Sequence, residues 1–170
     1  MQAHIMLSIT AKKTVAVFKG LVFLLILYLL QTGVFPHLRI YGVAPLLLPA
    51  GVIVIALLKV GQSGGVWGIT AGILCDMSVG DSPLMCTLFL GAAGLAASYL
   101  AQHFLARTFL TFITVTALAL ILLAAVQAAP LMIFARVNIR AVLPVAAAQT
   151  VYSLALSAAV WPLGQLIIDN

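Results

Sequence analysis

Residues 60–106 read VGQSGGVWGITAGILCDMSVGDSPLMCTLFLGAAGLAASYLAQHFLA, 47 residues without one lysine or arginine. A bilayer span takes about 20 mostly apolar residues, so the stretch is too long for one crossing helix and long enough for two. Gly80-Asp81-Ser82-Pro83 supplies the break, because these residue types together are turn chemistry. The reading is a helical hairpin, with one span over about 64–79, a tight link, and an antiparallel partner over about 84–105.

The rest of the chain has the same character. Of its 170 residues, 65% are hydrophobic and 6% charged. Soluble domains carry about 25% charged residues, and a small soluble fold leaves too much of its chain in water to hide this much apolar surface. The basic residues Lys12, Lys13, Lys19, Arg39, Lys59, Arg107, Arg136 and Arg140 punctuate the sequence instead of coating a face, as do the acids Asp76, Asp81 and Asp169. Apolar runs between them add spans over about 17–35, 43–58, 109–135 and 142–168. The expected fold is all-α: a polytopic membrane protein of about six transmembrane helices in a single domain, 1–170. Residues 1–19 form a short amphipathic lead. Pro36–Arg39, Lys59–Ser63 and Arg136–Arg140 read as short loops. Pro45 suits a first helical turn, and Pro49 either bends the second helix or moves its start. Pro130 interrupts the fifth span, and Pro144 and Pro162 lie in the sixth. Gln31–Phe35 does not offer the small-x-small site of a cleavable signal peptide.

A net charge of +5 does not imply nucleic acid, since binders of nucleic acid cluster their basic residues on a face. The charges instead set orientation through the excess of Lys and Arg on the cytoplasmic side. With six spans and the N-terminus inside, Lys12, Lys13, Lys19, Lys59 and Arg107 lie inside, against Arg39, Arg136 and Arg140 outside. Both termini are then cytoplasmic. A re-entrant 64–79 segment would invert everything after it.

Gly64, Gly68, Gly72 and Asp76 step by four along the third span. Small residues at this spacing let a second backbone approach closely, either from another helix of this chain or from a partner's transmembrane helix. Asp76 is costly inside lipid. It either meets a partner or cavity, or caps the turn before Asp81. Gln31, Gln127, Gln149 and Arg39 are the other polar candidates. Gln149, Ser153 and Ser157 again step by four and read as glue between helices. Cys75 and Cys86 can stay free as small hydrophobes, and a disulfide between them is possible but unforced. His4, His37 and His103 stand alone, without zinc-site spacing. Nucleophile-elbow, phosphate-loop and H-E-x-x-H patterns are lacking, so no enzyme, cofactor or metal is expected.

Gln31-Thr32-Gly33-Val34-Phe35-Pro36 followed by Ile40-Tyr41-Gly42-Val43-Ala44-Pro45 resembles the opening of the bacterial rod shape-determining MreD family. Gly68-Ile69-Thr70-Ala71-Gly72-Ile73-Leu74-Cys75-Asp76 is similar to that family's glycine-rich helix ending in an acid. The resemblance covers about residues 17–105. The family often has an acid after the proline matched by Pro45, whereas this chain has Leu46. The resemblance implies a non-enzymatic component of the cell-elongation machinery that makes peptidoglycan. Its implied partners are MreC, the synthase pair of RodA and a class B penicillin-binding protein, and, indirectly, the actin-like MreB. The rival is a vitamin-binding S-component of an energy-coupling-factor transporter, a bundle of similar size. S-components often carry small residues spaced by four on helix one, where this chain has the bulky run Leu21–Tyr28. A small secondary transporter would need a second charged group at midspan.

Overall fold

The computed structural model describes residues 2–38, 44–58, 63–79, 84–103, 108–133 and 139–169. Every regular element among them is helical: α1 (Gln2–Leu29), α2 (Leu48–Leu58), α3 (Gly64–Val79), α4 (Met85–His103), α5 (Phe109–Ile133) and α6 (Ile139–Gly164). Arg39, Lys59, Asp81 and Arg107, with the turn at 80–83 and Arg136, lie outside the described residues.

α1 runs unbroken from Gln2, so the lead expected over 1–19 is continuous with the first span. It passes into a π-helical segment, Leu30–Val34, and a 3-10 turn, Phe35–Leu38. α5 continues past Pro130 to Ile133, and α6 carries Pro144 and Pro162 within it before a C-terminal π-helical turn, Gln165–Asp169.

α2 occupies the centre. It packs against all five other helices, and Leu48 to Leu57 are all buried. Around it the others close a ring. α1 touches α3, α3 lies on α4, α4 meets α5, α5 lies on α6, and the C-terminal turn of α6 returns to α1. Side chains key the helices together. Gly51 of α2 fits against Leu24 and Leu27 of α1, and Gly164 fits against Val54 of α2. Phe112 of α5 and Trp161 of α6 stack with centroids 5.1 Å apart.

The outside of the ring is apolar. Val15, Phe18, Leu21, Leu25 and Leu29 on α1 are exposed, as are Val66, Ile69, Ile73 and Met77 on α3 and Leu110, Leu118 and Ile121 on α5. Contiguous apolar surface on this scale is foreign to a water-soluble monomer and suited to lipid. Segments 14–37, 85–103, 109–129 and 142–168 are long and apolar enough to cross a bilayer. The chain is a multi-pass membrane protein.

The second expected span departs most from its sequence reading. Instead of beginning near residue 43, its helix begins at Leu48 and has 11 residues. At 1.5 Å per residue that is about 16 Å, roughly half the hydrocarbon thickness. Proline explains the late start. Pro49 has no N–H, and its ring would clash with the carbonyl four residues earlier in a continuous helix. It is accommodated in a first turn, and residues 44–47 stay non-helical. α3 is also short, at 16 residues.

Candidate functional site

Two polar clusters hold the bundle's interior, and both use side chains to satisfy helix N-termini. The first is on the α3–α4 hairpin. Gly64, Gly68 and Gly72 line the contact face of α3. A Cβ at Gly68 would overlap the Leu90 carbonyl, one at Gly72 would overlap the Thr87 backbone, and one at Gly64 would strike Gly94 and Ser98. These partners run backward along α4 as the glycines run forward along α3, which makes the pair antiparallel. The glycine row therefore meets α4 of the same chain, and Gly94 answers it with equally tight contact to Gly64.

Asp76 ends that row. Its Oδ1 accepts the Cys86 N–H at 3.1 Å, and its Oδ2 accepts the Thr87 N–H at 3.0 Å and the Thr87 hydroxyl at 2.6 Å. A helix's first N–H groups lack intrahelical partners, and a carboxylate there also complements the positive end of the helix dipole. Asp76 thus caps α4 from the preceding helix. Leu84, just before α4, has φ of 63°, a left-handed conformation that costs a non-glycine residue about 1–2 kcal/mol.

The second cluster surrounds the start of α2. Gln31 continues the buried row of Phe23, Leu24 and Leu27 on α1. Its Oε1 accepts the N–H of Leu47 at 2.9 Å and of Leu48 at 3.2 Å. From α6, the Ser153 hydroxyl accepts the Leu46 N–H at 2.9 Å. Pro45 and Pro49 have no N–H to satisfy. Lipid offers no hydrogen bonds to bare backbone, so a helix that starts inside a bundle needs such partners. The π-helical turn that carries Gln31 closes with the Phe35 N–H on the Leu30 carbonyl.

Other polar candidates are distributed. The Gln127 amide donates to the Cys86 Sγ at 3.8 Å, linking α5 to α4. In the expected row on α6, Ser153 reaches another element, whereas the Ser157 hydroxyl bonds to the Leu154 carbonyl of its own helix. Ser98 and Thr116 are buried hydroxyls without a hydrogen-bond partner, and the sequence reading passed over both. Cys75 and Cys86 are free and buried. Among the described residues no three of His, Cys, Asp and Glu converge as a metal site would require. Ser153 was read only as part of a row, and nothing local in the sequence marks its partner 107 residues away. Gly91 and Gly94 on α4 were a legible signal for the face that receives α3.

No family model matches the chain, no curated protein matches it, and no solved structure matches it.

Proposed function

We propose that the chain is a non-enzymatic membrane component of the bacterial cell-elongation machinery, crossing the inner membrane six times with both termini cytoplasmic. It would act through helix–helix contacts with MreC and the RodA–penicillin-binding protein pair. The reading rests on the resemblance at 31–45 and 68–76, and one structural observation supports its non-enzymatic part. Three interior polar side chains, Gln31, Asp76 and Ser153, accept backbone N–H groups of this chain and so serve its own packing. Such a bundle is built to hold a shape and present an apolar surface. The test is photocrosslinking in native membranes followed by mass spectrometry, together with complementation of a strain depleted of its own rod-shape membrane component. Capture of cell-wall synthases and recovery of rods are expected. Capture of ATPase and coupling subunits would replace this reading with the transporter one.

One feature favours the rival S-component. α2 starts within the bundle, and discontinuous helices of this kind often mark ligand sites in transporters. Here the converging N–H groups already have Gln31 and Ser153 as acceptors. Calorimetry of the purified protein with a panel of vitamins should show no binding, and nanomolar affinity for any of them would favour the rival.

A further inference from the structure

The capped end of the α3–α4 hairpin also holds two thiols. The register sets Cys86 and Thr87 against Gly72, and Cys75 lies buried three residues further along α3, next to the Asp76 that bonds the Cys86 N–H. The Cys75 and Cys86 thiols are both buried at this contact, and the Cys86 backbone N–H donates to the Asp76 carboxylate. Gln127 adds an amide donor to the Cys86 sulfur. A disulfide needs Cα atoms roughly 4.4–6.8 Å apart, a spacing that ordinary helix pairs, with axes about 8–10 Å apart, meet only at their closest points. The glycines pull these two backbones into direct contact.

We propose that Cys75 and Cys86 form a redox couple, a dithiol that closes to an intrachain disulfide and clips α3 to α4 at their linked end. In cells the proposal rests on the topology above, which places this end on the extracytoplasmic side, where disulfides persist.

The co-reactant is a disulfide of the thiol-exchange class. Cys86 is the attacking sulfur, because the Gln127 amide already donates a hydrogen bond to it. Its thiolate attacks one sulfur of the oxidant, the oxidant's S–S bond breaks, and the first thiolate leaves with the electron pair. The Cys75 sulfur then attacks the Cys86 sulfur of the mixed disulfide and expels the second thiolate. Two protein thiols are oxidised, one external disulfide is reduced to two thiols, and the two protons released pass to the departing thiolates.

The experiment uses the full chain purified in detergent under reducing conditions. It is exposed to oxidised glutathione and, in parallel, to copper–phenanthroline, which requires no glutathione adduct at a buried sulfur. Both samples are denatured, alkylated and read by mass spectrometry. The expected product has lost two hydrogens, takes up no alkylating label, and yields a Cys75 peptide joined to a Cys86 peptide. Cys75→Ser should stop at a glutathione adduct on Cys86. Full labelling of both cysteines after both oxidants would overturn the couple, as would stable adducts on both without closure. Closure in vitro together with a reporter that places the hairpin end in the cytoplasm supports the couple and overturns the topology.

Discussion

At the scale of single residues, Asp76 shows how far one side chain can be committed. Both of its oxygens accept bonds from α4, three in all. Asp76→Asn keeps the shape but turns an NH2 toward one set of donors. Hydrogen bonds to charged groups contribute about 1.5–3 kcal/mol. We therefore expect Asp76→Asn to cost about 1–2 kcal/mol, and Asp76→Ala more, in denaturant unfolding from mixed micelles. An Asn variant as stable as the parent would show that charge is irrelevant to this cap. The glycines give a sharper contrast. Gly68→Ala drives a Cβ into the Leu90 backbone, whereas a Cβ at Gly33 meets nothing within 4 Å. Overpacking costs about 1–3 kcal/mol, so Gly68→Ala should lower the melting temperature and Gly33→Ala should not. Leu84→Gly should raise stability by about 1 kcal/mol, since its side chain is 60% exposed and its backbone left-handed. A loss on that substitution would mean that the leucine's contacts outweigh its strain.

At the scale of elements, the cap on α2 carries the clearest expectation. Gln31→Ala leaves two buried backbone donors, those of Leu47 and Leu48, without their acceptor. A buried unsatisfied group costs about 1–3 kcal/mol. Hydrogen exchange at residues 46–50 should accelerate in Gln31→Ala, less so in Ser153→Ala, and least in Gln31→Glu, which retains an acceptor. Equal exchange in all three would show that the cap contributes nothing. The helices themselves were legible because apolar runs and turn residues alternate along the chain, and α3 begins and ends where its sequence says. The start of α2 was legible only in part. Pro49 announced that something must give, but the outcome depended on Gln31 and Ser153 being near enough to take the stranded N–H groups. Hydrophobic pattern does not encode such distant pairings. Likewise the glycine row was readable as a close-contact face, while its partner became evident only when Gly94 and Leu90 lay opposite it. The family resemblance concerns function and stays a proposal.

At the scale of the whole molecule, a ring of five helices encloses one helix too short to cross lipid alone. A reporter fused after Asn170 should be active only in its cytoplasmic form. Activity outside would remove the six-span arrangement and leave one of the two short helices turning back within the bilayer. The short central helix also constrains how the protein is made. Ribosomes deliver segments to the membrane in chain order, and α2 arrives second, before α3 to α6, which enclose it. Gln31 precedes Leu47 by 16 residues and is already present, but Ser153 follows Leu46 by 107. Until the last helix arrives, the Leu46 donor must be met by water, a lipid headgroup or an assembly factor. A stretch of 11 apolar residues is also a weak stop for an insertion channel, so α2 should be retained beside α1 and released as a pair with it. Nascent chains stalled before residue 139 should therefore stay crosslinkable to the insertion machinery through α2, and lose that contact once α6 has emerged.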